Sequence, residues 1–307
     1  MSLPETACSV VARAHDDPLI ATAPPTRRWL LLDVPRAWPE KILRSPEVAG
    51  AVPALGDIVD RRQGRVLFVR RPGGAVGARL HPDDHGPIRG FLVVDAPTRT
   101  QTRGAWRPAA AGRPAADLTA ALAAFDADGP LAEPAAEILL VCSHGTHDQC
   151  CAVRGRPVAA VLAERYEHVL ECSHVGGDRF GGNLLALPTG TYLGRLDADS
   201  APAVVAAHLA GRDDPAHLRG VTTQDQRVQA AVTATLAAYG AAAAYRLHGE
   251  IVGHPAPDRW HVSVSGHPAA AQVRVEVRRI VLSPAPRACR AEIDKVAVTY
   301  ETALLDS

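Results

Sequence analysis

Two segments hold most of the chain's reactive side chains: Cys142-Ser-His-Gly-Thr-His-Asp-Gln-Cys150-Cys151, and about twenty residues on, Glu171-Cys172-Ser-His174-Val-Gly-Gly-Asp178-Arg-Phe180. Four of the six cysteines lie here. Soft thiolates and imidazoles gathered on two loops are what an iron-sulfur cluster or a zinc ion requires, and few other chemistries need them together.

The spacing sharpens this. Cys142 ends an apolar run and Cys151 precedes a predicted helix, with eight residues between them, so both thiolates can face one loop-enclosed point. The Cys-x-x-Cys spacing of a zinc knuckle or of a thioredoxin-type dithiol is absent. Successive side chains diverge, so Cys150 and Cys151 cannot easily reach one ion together, and Cys151 is the expected ligand of the two. Cys172 and His174 stand two apart, on one face if the strand continues, and Asp178 lies four residues beyond the histidine. The glycines at 176, 177, 181 and 182 let backbone N–H groups come close to a bound group. Against this stands the plainer reading of Cys150 and Cys172 as packed thiols, and of His144 and His147 as hydrogen-bonding loop residues. Cys8 and Cys289 are isolated in sequence and are expected to be structural.

The elements that must position these residues read as α/β. Trp29 to Val34, Arg65 to Arg70 and Gly90 to Asp95 are expected strands, with a short helix from Pro39 to about Arg44 and a linker from Ala96 to Pro114. A helix from Asp117 to Phe125 leads to a strand over Glu137 to Cys142. Arg156-Pro157 is expected to open a helix running to about Arg165. Further strands are expected at His168 to Cys172, Asn183 to Leu187 and Thr191 to Arg195. Ser200 is the expected cap of a helix over Ala201 to Ala210, closed by Gly211. Val228, Val232, Leu236 and Tyr239 form the apolar stripe of another helix. Val262 and Val264, then Val273, Val275 and Val277, then Val296 and Val298 describe an antiparallel hairpin or meander with one wet face. The division expected is an α/β domain over 1–115, a ligand-bearing domain over 116–220, and a helix with antiparallel strands over 221–307.

Composition sets the outer limits. Lys plus Arg equals Asp plus Glu at 33 each, which argues against a general nucleic-acid binder. Aromatic residues are 4% of the chain, so its core is built from Val, Leu and Ala, and the platforms of a sugar site are scarce. The first twenty residues contain no apolar stretch suited to a signal peptide, and no run approaches a membrane span. The expectation is a cytoplasmic protein with reduced thiols and no membrane partner.

The order Val-Cys-Ser-His-Gly-x-x-Asp-x-Cys-Cys-Ala-x-x-Gly-Arg-Pro, then Glu-Cys-Ser-His-Val-Gly-Gly-Asp-Arg-Phe-Gly-Gly-Asn-Leu-Leu-Ala-Leu-Pro, resembles the sucrase/ferredoxin-like family of thioredoxin-like 2Fe-2S ferredoxins. Cys8-Ser, Asp17-Pro-Leu-Ile-Ala-Thr-Ala and Arg28-Trp-Leu-Leu-Leu-Asp-Val-Pro are similar too. The resemblance implies a thioredoxin-like domain carrying one 2Fe-2S cluster; the preceding α/β half runs through the same order of strand, helix, strand and strand pair, the pattern of a degenerate copy. Two ligands come from each loop. Cys142 and Cys151 match the first pair, and His174 matches the first member of a His-x-x-x-His pair whose second position is here Asp178. Cys172 is the rival fourth ligand, since thiolate suits iron better than carboxylate does.

The resemblance further implies a one-electron carrier that serves redox partner proteins. A histidine ligand can couple proton uptake to electron uptake, which makes the expected potential pH-dependent. Arg154, Arg156 and Arg179 are either solvated charge or a docking face for an acidic partner. A zinc-stabilised structural or interaction protein using the same positions is the alternative. Sucrose hydrolysis, suggested by the family label alone, lacks a recognisable acidic pair.

Overall fold

The computed structural model describes residues 3–73, 90–108, 115, 117–285, 287–290 and 296–306. It is mixed α/β and divides into two compact units. One holds residues 26–175 and 184–190; the other holds 1–25, 176–183 and 191–307. The first helix, α1 (Cys8–Ala14), belongs to the latter.

In the first unit, β1 (Arg28–Asp33) is an apolar run with no exposed residue, as expected of a strand covered on both faces. Helix α2 (Val52–Arg62) carries it into the parallel strand β2 (Gly64–Arg70). Then β3 (Phe91–Asp95) pairs antiparallel with β1 and β4 (Thr100–Gly104) pairs antiparallel with β3. After α3 (Thr119–Asp126) comes the short edge strand β5 (Glu133–Pro134) on β4. The same plan then repeats. Strand β6 (Ile138–Cys142) runs through α4 (Gln149–Ala163) into its parallel partner β7 (Val169–Cys172), and β8 (Leu184–Leu187) pairs antiparallel with β6. The halves meet where β2 pairs antiparallel with β7, giving the order β8-β6-β7-β2-β1-β3-β4-β5.

Leu30, Leu32, Phe68, Val93, Leu55 and Phe125 join one buried cluster. Each such side chain contributes about 1.5–3 kcal/mol by leaving water. Two ion pairs are sealed into this unit: Arg28 with Asp95 and Arg70 with Glu171, each at 2.7 Å.

In the other unit, β9 (Thr191–Leu193) pairs antiparallel with β10 (Leu218–Val221), with α5 (Ala201–Leu209) between them in sequence. Helix α6 (Gln226–Tyr239) starts at Asp225, whose side chain accepts from the Arg227 N–H at 2.9 Å. It lies on an antiparallel sheet ordered β11 (His248–Ala256), β12 (Arg259–His267), β13 (Ala270–Val281), β14 (Val298–Leu305). Val273, Val275 and Val277 are buried and their neighbours wet, the alternation the sequence predicts.

Three local expectations need correction. The stretch read as a linker contains β4, which pairs across to β3 and β5 although its own composition is polar; residues 109–114 lie outside the described part. The helix expected to open at Arg156-Pro157 begins at Gln149 and carries Pro157 in its interior. Asp148 sets that earlier start, because its side chain accepts the Cys150 N–H at 2.8 Å. Between Pro39 and Arg44 only a 3-10 turn forms, over Ile42–Arg44.

Candidate metal centre

Cys142 is the last residue of β6, and Cys151 lies in the first turn of α4, so the early helix start places both sulfurs. His174 comes just after β7 on a loop held to β2 by four hydrogen bonds. Ser173 N–H donates to Phe68 O at 2.8 Å, Phe68 N–H donates to Ser173 Oγ at 3.0 Å, and Arg65 donates to the carbonyls of His174 and Val175 at 2.9 and 3.0 Å. Strand end, helix start and stitched loop thereby bring the two sulfurs and a His174 ring nitrogen within 4.8 Å of one another.

Cys151 Sγ stands 3.9 Å from His174 Nδ1. Donors bound at zinc-like distances around one tetrahedral ion lie about 3.5–3.8 Å apart, so little contraction is required. Two thiols and an imidazole suit iron or zinc and not magnesium or calcium. The Cys142 thiol is held well below its ordinary range, first by its hydrogen bond with Cys151 and then by His174, which together outweigh burial. Such a sulfur is readily available as thiolate.

Gly155 explains how closely helix and strand meet. A Cβ at this position would stand 1.9 Å from the Cys142 carbonyl oxygen, so only glycine lets α4 lie against the end of β6.

His144 is 2% exposed and works as a brace. Its Nε2 lies 2.9 Å from Pro39 O, and its Nδ1 accepts the His174 N–H at 3.2 Å. That pairing fits the neutral ring with hydrogen on Nε2. Burial pushes its pKa down to about 4, which keeps it neutral. His147 stacks on His174 with ring centroids 3.9 Å apart, and its Nδ1 is 3.3 Å from Glu40 O. A cleft of about 450 Å³ opens beside these rings, lined by Ile42, Val59, Val66 and Arg65 among others.

Cys150 is fully buried at the helix start, and Cys172, also fully buried, lies opposite Cys142 in the parallel register. Burial pushes the Cys172 thiol up, and the neighbouring Cys142 adds to this. Asp178 belongs to the other unit, where it opens a 3-10 turn over Asp178–Phe180 with its side chain buried. In that unit Arg179 pairs with Asp17 at 3.0 Å. Arg219 there donates to Gly176 O and Asn183 Oδ1, both at 2.8 Å, and to Thr22 O at 2.7 Å. Gly177 has φ +79°, and a Cβ on it would meet the Arg219 guanidinium at 2.5 Å.

Sequence reasoning missed Arg65, Gly155 and Arg219. Arg65 and Arg219 lie outside the motif and what they do depends on partners far along the chain, whereas Gly155 is a fixed position of the motif whose role shows only once α4 lies against β6. The Asp148 cap was missed too, although an Asp just before the helix is an ordinary helix-start signal that could have found it.

An α/β chain with two buried cysteines and a half-buried histidine as a converging donor set defines the class: a protein with a potential metal-binding centre. The sucrase/ferredoxin-like family profile matches residues 19–220, two thirds of the chain, and the protein belongs to that family. Comparison with curated proteins and with solved structures finds no match.

Proposed function

We propose that this protein is an electron carrier holding one 2Fe-2S cluster, with Cys142, Cys151 and His174 as ligands in a thioredoxin-like setting formed by residues 116–220. The observation that carries the reading is the convergence of those three donors from three separate segments. Asp178 is proposed as the fourth ligand on the sequence motif alone. Its rival Cys172 is not among the donors that converge with Cys142 and Cys151. The cluster would supply reversible one-electron transfer.

The chain's own residues do the rest. Cys142 offers a thiolate without a large deprotonation cost, and Arg65, Ser173 and His144 fix the loop that carries His174. His174 is only half-buried, so its ring can exchange a proton with solvent as the charge of the site changes. Lys41 and Arg44 border the cleft beside it and give an acidic redox partner a place to dock. Among the described residues no helix is long and apolar enough to cross a membrane. A reducing cytoplasmic compartment, where thiols remain available, suits the ligand set.

Potentiometry between about pH 6 and 9 tests the proton-coupled part. A potential that falls with pH in the parent and is flat in His174→Cys supports it, and a flat parent removes it. Zinc is the second reading, favoured by the compact donor spacing that one tetrahedral ion would match.

A further inference from the structure

Cys8 and Cys289 are 281 residues apart in sequence, yet their sulfurs are 3.6 Å apart. The Cys8 N–H also donates to Cys289 Sγ at 3.4 Å. Both belong to the same unit, Cys8 at the start of α1 and Cys289 between β13 and β14. Isolated in sequence, the two are neighbours in the fold.

The pairing is held by charge. Arg287, two residues before Cys289, bonds to the Asp17 carboxylate and donates to Ser283 O at 2.9 Å. Asp17 also takes Arg179 Nε at 3.0 Å, and Arg179 is near enough to Cys8 for their charges to interact. Two guanidinium groups on one carboxylate thus fix the segment that carries Cys289 near α1. Cys8 is fully buried, whereas Cys289 is partly exposed and open to a small reagent. A disulfide needs about 2.05 Å between sulfurs, so closure requires a movement of about 1.5 Å.

We propose that Cys8 and Cys289 form a redox-active dithiol that closes to a disulfide by exchange with a low-molecular-weight disulfide of the glutathione class. The Cys289 thiolate attacks one sulfur of oxidised glutathione, forming a mixed disulfide and expelling one glutathione thiolate. The Cys8 thiolate then attacks Cys289 Sγ and expels the second. Two protein thiols are oxidised, one glutathione disulfide is reduced to two thiols, and the two protons given up by the protein thiols are taken up by the two expelled glutathione thiolates. The product fastens α1 to the segment before β14, independently of any metal at Cys142.

The full chain is incubated with oxidised glutathione, quenched by alkylation and digested without reduction for mass spectrometry. The expected result is a Cys8–Cys289 cross-linked peptide in the parent. Cys8→Ser should retain one glutathione on Cys289, and Cys289→Ser should leave Cys8 alkylatable. The parent's unfolding midpoint should rise on oxidation, and neither variant's should. A parent in which both thiols remain alkylatable, or in which glutathione stays on Cys289 unresolved, overturns the proposal. So does pairing of Cys8 with another cysteine.

Discussion

Gly155→Ala tests the positioning of the donor set with a single methyl group. The added carbon would stand 1.9 Å from the Cys142 carbonyl oxygen, and real Cβ contacts essentially never fall under 3.0 Å. Helix α4 and the end of β6 must therefore separate by about 1.1 Å, because the obstructing atom is backbone and cannot rotate away. Overpacking of this kind costs about 1–3 kcal/mol of stability. The effect on the site is larger in proportion. Cys151 rides on α4 and Cys142 on β6, while metal–ligand distances tolerate about 0.2 Å. The variant should thus fold with a reduced urea midpoint and lose at least tenfold in affinity for the metal that the parent retains. Gly56→Ala in α2 is the control: nothing lies within 4 Å of its added carbon, and helix propensity predicts no loss, or a gain of about 0.5–1 kcal/mol. Parent-like metal affinity and stability in Gly155→Ala would refute the reasoning, since the close helix–strand contact would then not set the donor geometry.

His144 gives metal-free protein a specific pH dependence. Its folded-state pKa of about 4 lies below the ordinary 6.5, so on acidification the unfolded chain takes up the proton first. Stability should decline by about 3 kcal/mol as pH falls from 6.5 to 4 and level off below that. His144→Gln should show a shallower slope over this window in urea titrations, and parallel curves would contradict it. Arg219→Ala should cost about 3 kcal/mol, because it leaves the Gly176 and Asn183 oxygens without their buried donor. Thermal or urea unfolding measures it, and a loss under about 1 kcal/mol would show those acceptors re-satisfied by water.

Much of the fold was legible because its strands are long apolar runs that the backbone can only bury in a sheet, as with Trp29 to Val34 and Ile138 to Cys142. What escaped depends on distant pairing. β4 is polar over Thr100–Gly104 and exists because β3 and β5 flank it. Helix α4 was read from Pro157, a strong local signal, although the Asp148 cap sets its start and the helix accommodates the proline. In the site, residue types and spacing gave Cys142 and Cys151 with Cys172, His174 and Asp178 as further candidates, and the resemblance selected His174; Cys142, Cys151 and His174 converge. The bracing roles of Arg65 and His144 are tertiary: each depends on the fold bringing β2 or Pro39 to the ligand loops. The same limit hid the approach of Cys8 to Cys289, since sequence distance carries no information about chain ends that fold together.

The most direct test is quantification of iron, acid-labile sulfide and zinc in protein purified without oxygen, read together with the visible spectrum. The account predicts a red-brown protein with about two irons and two sulfides per chain, both lost in Cys142→Ser. A colourless protein with one zinc, or iron retained in full without Cys142, would contradict it.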